Sequence, residues 1–97
     1  MGEILEKLGK RKAAEIRRLK RLLRNGIVNF SYVKKSTGKR RDAVGTLNKN
    51  LIPKDDRDPD MMDGGTGDIV NYYDIEKKGW RRFDKENFIE YKKDNID

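Results

Sequence analysis

At Asn25-Gly26 the hydrophobic period of this 97-residue chain switches from helical to alternating, so one long helix must hand over to short strands. From Glu3 to Arg24, the side chains of Ile4, Leu5, Leu8, Ile16, Leu19, Leu22 and Leu23 fall in one stripe when successive residues turn by about 100°. Ala13 lies at the edge of that stripe and Lys12 is a basic intruder in it. The opposite face carries Lys10, Arg17, Lys20, Arg21 and Arg24, flanked by Arg11 and Arg18. Gly9 costs the helix about 1 kcal/mol relative to Ala, which predicts fraying or a bend in the first turns. Asn25-Gly26 is a strong stop, because both residues tolerate the left-handed conformation that closes a helix.

Beyond the stop, Val28, Phe30 and Tyr32 alternate with Asn29 and Ser31, as in a half-buried strand. Ser36-Thr37-Gly38-Lys39 makes a turn. Ala43, Gly45 and Leu47 then alternate with Asp42, Val44 and Thr46, completing a hairpin in which Gly45 predicts a bend or bulge. Ile69 to Ile75 and Trp80 to Phe83 give two more strands about a turn at Glu76-Lys77-Lys78-Gly79. Asp84 is placed to cap a single helical turn over Lys85-Glu86-Asn87, before a last strand from Phe88 to Tyr91. With 34% hydrophobic and 42% charged residues, there is material for one small core only. The fold class is therefore α+β: an amphipathic helix over 1–25, then a strongly bent five-stranded β-barrel over 26–97 whose open end or edge the Leu stripe covers.

Residues 48–68 fit neither period. They hold six acids (Asp55, Asp56, Asp58, Asp60, Asp63, Asp68), both prolines and three glycines. This reads as an acidic, flexible loop, anchored by Leu51, Ile52 and Pro53, with Met61-Met62 over the barrel and the acids free to screen the basic helix. Asp56-x-Asp58-x-Asp60 has the spacing that opens a calcium loop, but Met61 and Gly67 stand where that loop needs Gly and Glu.

Charge is as uneven as the period. Residues 3–24 carry nine basic groups against three acids, whereas residues 25–97 carry fifteen against fourteen. A purely solubilising face mixes both signs, so phosphate binding outweighs mere solvation for this helix. An anionic membrane surface ranks lower, because the helix lacks Trp and Phe anchors. On the barrel, Trp80 with Arg81 and Arg82 is the strongest local candidate, since an aromatic ring stacks on a base at about 1–3 kcal/mol and guanidinium groups hold phosphates. Lys34, Lys35, Lys39, Arg40 and Arg41 crowd the first hairpin turn and extend the positive surface. The absence of Cys and His removes disulfides, thiolate metal sites and the commonest general base. No glycine-rich phosphate loop follows a strand and no nucleophile has a base beside it, so no enzyme activity, cofactor or metal is expected. No apolar run approaches the roughly 20 residues of a membrane span, which points to a cytoplasmic protein.

The strand residues resemble the WYL domain family, in particular its short Sm-like barrel proteins from phages and Bacteroidetes-type bacteria. The likeness runs through Val28-Asn29-Phe30-Ser31-Tyr32, Thr37-Gly38-Lys39-Arg40-Arg41 and Gly45-Thr46-Leu47. It resumes at Tyr72-Tyr73-Asp74-Ile75-Glu76, Gly79-Trp80-Arg81-Arg82-Phe83 and Glu86-Asn87-Phe88-Ile89. Tyr72-Tyr73-Asp74 stands in place of the Trp-Tyr-Leu triplet, so the motif is partly kept. The resemblance implies an SH3-like, Sm-like barrel and a regulatory module that binds nucleic acid or nucleotide-like ligands, with Tyr73 and Arg81 as ligand contacts.

Together these readings predict a non-catalytic nucleic-acid-binding accessory or regulatory protein, compatible with a phage or mobile element and thus with a bacterial host cytoplasm or a virion. Nucleic-acid contacts are expected at Lys10, Arg17, Arg18, Lys20, Arg21 and Arg24 on the helix, and at Arg40, Arg41, Trp80, Arg81 and Arg82 on the barrel. Two alternatives stay open: a helix-mediated protein-interaction or assembly module, including a homo-oligomer, and a nucleotide-sensing module. DNA and RNA, single or double strand, are not distinguished.

Overall fold

The helix ends where tertiary partners take its last carbonyls. The computed structural model describes residues 2–92, with side chains from residue 13 onward, so the expectations for Ile4, Leu5, Leu8 and Lys10 lie outside the described side chains. Helix α1 (Gly2–Asn25) runs unbroken through Gly9. Neither Asn25 nor Gly26 adopts positive φ, contrary to the left-handed stop expected there. Instead the Gly26 N–H donates to Leu22 O at 3.1 Å, and Leu23 O accepts the Leu47 N–H at 2.9 Å and the Thr46 hydroxyl at 3.2 Å. A strand end thus satisfies carbonyls that a glycine turn would otherwise close.

Five strands follow: β1 (Ile27–Val33), β2 (Arg40–Thr46), β3 (Ile69–Asp74), β4 (Gly79–Asp84) and β5 (Phe88–Tyr91). They form one antiparallel sheet in the order β4-β3-β2-β1-β5, with a single-turn 3-10 helix over Lys85–Asn87 joining the two edges. The α+β reading and its small barrel therefore hold. Val28, Phe30, Tyr32, Ala43, Val70, Tyr72, Phe83 and Phe88 point into one core, and Ile16, Leu19 and Leu23 of α1 close it. Tyr32 and Phe83 stack at 4.4 Å and 11°, and Phe30 meets Tyr72 edge-on at 4.9 Å. Such pairs add about 0.5–1.5 kcal/mol each beyond their buried area.

Gly45 is not a bulge. Its pairing with Val28 is in unbroken β1–β2 register, and the irregularity lies between Ser31 and Tyr32 in the β1–β5 pairing. The glycine is required because a Cβ there would stand 2.6 Å from the Tyr72 ring and 3.2 Å from Phe30.

The 48–68 segment packs against the sheet and is tied to it by hydrogen bonds. It contains two 3-10 turns, Lys49–Leu51 and Lys54–Asp56. Ile52 is its buried anchor at 2% exposure, whereas Leu51 is 42% exposed. The Arg57 Nε–H donates to Lys49 O and Ile52 O, and the Asn71 N–H of β3 donates to Gly64 O at 2.8 Å. Gly65 has φ +90, and a Cβ there would collide with the Ile69 carbonyl. The segment straps the outer face of β3, which explains why Asn71 and Tyr73 are buried as fully as Val70 and Tyr72 on the inner face.

Gly45→Ala should destabilise the fold by about 1–3 kcal/mol, because neither ring can leave a close-packed core. A lower urea midpoint with an unchanged slope is the expected result.

Candidate functional site

Strand β1 continues past the last residue of its β5 pairing, and β4 is the opposite edge of the sheet. Between them lies a recess of about 600 Å³, bordered by Lys34 and Lys35 from the β1 end and by Arg81 and Arg82 from β4. Buried Tyr32 and Phe83 line it more deeply, together with Arg41. Arg81 and Arg82 leave opposite faces of β4, yet both border the recess, since a strand edge is reached from either face. Asp84 is the acid on this wall. It does not cap the following turn, as the sequence suggested, but accepts the Lys35 ammonium at 3.2 Å. Lys35 is 83% exposed, so this pair contributes at most about 1 kcal/mol.

Arg41 is fixed. Its Nη2 donates to Asp74 Oδ2 at 2.7 Å, and the Asp74 side chain is only 2% exposed. Asp74 Oδ1 accepts the Lys77 N–H at 2.9 Å. Burial opposes ionisation of Asp74, but the Lys77 N–H and the guanidinium outweigh it and hold the carboxyl below its ordinary value. The hydrogen bond to Asp74 raises Arg41 in turn. Next to this pair the hydroxyls of Tyr32 and Tyr72 lie 2.8 Å apart, and burial drives Tyr72 well above the usual phenol range.

Several expected contacts are committed elsewhere. Tyr73 is buried, and its hydroxyl donates to Asp56 Oδ2 at 2.7 Å; that bond, with burial, pushes it up to about 12. Trp80 packs edge-on against Tyr73 and donates Nε1–H to Asp56 O at 2.6 Å, so the indole N–H secures the strap while the ring stays half-buried. Arg40 is taken up by Asp42, Ser31 and Glu90, which also explains why outward-facing Ser31 is fully buried. Lys20 donates to Gly65 O and Arg24 to Asp63 O, both at 2.9 Å. Desolvation and the nearby Arg24 charge lower Lys20, against the pull of Asp63. The strap therefore bonds the helix end directly through backbone carbonyls, and the Asp63 charge acts on Lys20 without a direct ion pair among the described residues. Arg17 and Arg21 remain exposed without an ion pair among the described residues, and Arg18 sits 5.9 Å above the Tyr91 ring. Lys34 and Lys35 extend the positive surface from the first hairpin turn, and their place opposite Arg81 and Arg82 depends on strand order, which no local pattern encodes.

A family model described as WYL_2, Sm-like SH3 beta-barrel fold, matches residues 16–89, spanning the end of α1, strands β1 to β4 and the start of β5. The chain belongs to the WYL_2 family. Comparisons with curated proteins and with solved structures give no match. The WYL_2 match covers the recess, the Arg41–Asp74 pair and the strap alike, and it accords with a regulatory or sensing module.

Because Asp74 titrates below its ordinary value, its contribution is present above about pH 4 and is lost as pH falls through its folded pKa. Asp74→Asn should flatten the acid limb of stability measured by urea unfolding from about pH 5 to pH 2. At neutral pH it should cost about 3 kcal/mol by leaving Arg41 buried and unpaired. Tyr73 behaves in the opposite sense: its contribution is present below about pH 10 and fades as pH rises through about 12, so Tyr73→Phe should flatten the alkaline limb.

Proposed function

We propose that this WYL_2 chain is a non-catalytic nucleic-acid-binding regulatory module that seats phosphates at the recess between β1 and β4. The observation that carries the reading is the charge around that recess, where Lys34, Lys35, Arg81 and Arg82 outnumber the one acid of its lining, Asp84, while Arg41 behind them is paired with Asp74. Cations gathered at a concave, partly desolvated site focus the field on an anion more strongly than cations spread over a convex surface. Exposed Arg17 and Arg21 on α1 give a second set of phosphate contacts. Trp80 is half-buried with its N–H held by Asp56, and Tyr32 is buried and stacked on Phe83, so base stacking adds little to the phosphate contacts. Recognition then rests on phosphate geometry, with little discrimination among sequences.

Nucleotide sensing is a second reading, supported by one observation: about 600 Å³ lies within the range of pockets that hold a small ligand. A mononucleotide that raises the melting temperature while leaving oligonucleotide affinity untouched would favour it.

Fluorescence polarisation with labelled single- and double-stranded DNA and RNA at two or more salt concentrations tests the main reading. Arg81→Ala/Arg82→Ala should weaken binding on the order of tenfold or more at low salt and reduce the salt slope by about 1.5–2, equally for unrelated sequences. Arg17→Ala/Arg21→Ala should act in the same direction independently. A double variant of β4 with wild-type affinity and slope would sink the assignment of the recess.

A further inference from the structure

The chain has five aliphatic hydroxyl side chains: Ser31, Ser36, Thr37, Thr46 and Thr66. Ser31 and Thr46 are fully buried and hydrogen-bonded to Asp42 and to Leu23 and Gly26 carbonyls. Thr37 Oγ1 accepts the Lys39 N–H at 3.3 Å, as part of the hairpin turn. Thr66 is exposed but sits between Asp63 and Asp68 in a glycine-rich stretch, with no basic residue beside it in sequence. Ser36 differs from all four. It is exposed, it follows Lys34-Lys35 directly, and its hydroxyl makes no hydrogen bond among the described residues. The turn that presents it is closed beneath by Lys34 N–H to Lys39 O at 2.8 Å and Gly38 N–H to Lys34 O at 2.7 Å. It also borders the cationic recess.

We propose that Ser36 is a phosphorylation site for a basophilic serine/threonine kinase, and that its phosphate fills the anion seat of the recess and switches oligonucleotide binding off. The switch rests on the nucleic-acid reading above; the modification site does not. Kinases select substrates by charge pattern, and two lysines immediately before an unbonded hydroxyl on a protruding turn suit an acidic substrate groove. In the transfer, Ser36 Oγ bonds to the γ-phosphorus of ATP as the bond to the β,γ-bridging oxygen breaks. ADP leaves, and the hydroxyl proton passes to the kinase's base. The product carries about −1.5 to −2 charges and three acceptor oxygens within reach of Lys34 and Lys35. A tethered phosphate competes at high effective concentration with the phosphates of a free oligonucleotide. Neutralising two cations removes about two phosphate contacts, hence on the order of tenfold or more in affinity at low salt.

The test incubates the full chain with ATP and a purified basophilic serine/threonine kinase, maps the product by peptide mass spectrometry, and measures polarisation binding of a labelled oligonucleotide before and after. One phosphate on Ser36 and a fall in affinity of about tenfold or more are expected. Ser36→Ala should abolish both the label and the fall. Thr66→Glu, which puts negative charge on the strap instead, should leave affinity within about twofold. Labelling at Thr37 or Thr66, or none, overturns the site; full labelling at Ser36 with unchanged affinity overturns the switch. Should the unmodified chain bind no oligonucleotide, the nucleic-acid reading falls and takes the switch with it, while the mass map still decides Ser36.

Discussion

Asp56 holds two aromatic side chains of neighbouring strands at once, and the outer half of the molecule depends on it. Its carboxylate takes the Tyr73 hydroxyl and its backbone carbonyl takes the Trp80 indole. A five-stranded sheet in a chain with 34% hydrophobic residues has a core sufficient for one face. The strap from 48 to 68 supplies a second layer, with Ile52 buried against it, so that β3 is covered on both sides. Polar groups placed under such a cover must be paired, because a buried phenol or indole without an acceptor costs about 1–3 kcal/mol. One residue satisfies both. The segment with the least apparent order in the sequence is thus a structural part of the sheet.

The elements were legible because their periods are local. The helix stripe, the alternation in β1 and β2 and the single turn before β5 all follow from spacing over a few residues. What escaped were pairings between distant positions: Asp56 with Trp80, Arg41 with Asp74, and Lys20 with Gly65. One signal for the strap was present. Val70-Asn71-Tyr72-Tyr73-Asp74 does not alternate, and a strand that fails to alternate is buried on both faces. That pattern demands a cover, and 48–68 is the segment left to provide it. Gly45 and Asp84 were misread for a related reason, since each was assigned its commonest local role while a remote ring or ammonium group decided its use.

The same pairings redistribute the positive charge. As a sequence, the chain concentrates it along one helix face. In the fold, Lys20 and Arg24 are bound to the strap, Arg40 belongs to a network with Asp42 and Glu90, and Arg41 is tied to Asp74. Among the exposed cations of the described residues, Arg17 and Arg21 lie on α1, and Lys35, Arg81 and Arg82 gather at the sheet seam beside half-buried Lys34. Hydrogen bonding to backbone carbonyls removes a cation from the surface as effectively as an ion pair does, and composition alone does not register it.

Asp74 is a buried carboxylate, and burial makes that costly unless the charge is met. Arg41 and the Lys77 N–H meet it, and in doing so they hold a guanidinium in one orientation beside the recess. The recess therefore combines an oriented cation at its base with exposed, long-stemmed cations at its rim. An anion entering it pays the ordering cost of the rim side chains but not that of Arg41. On the proposed reading, Asp74 gives up apolar burial for preorganisation and shapes the anion site through the orientation it imposes on Arg41.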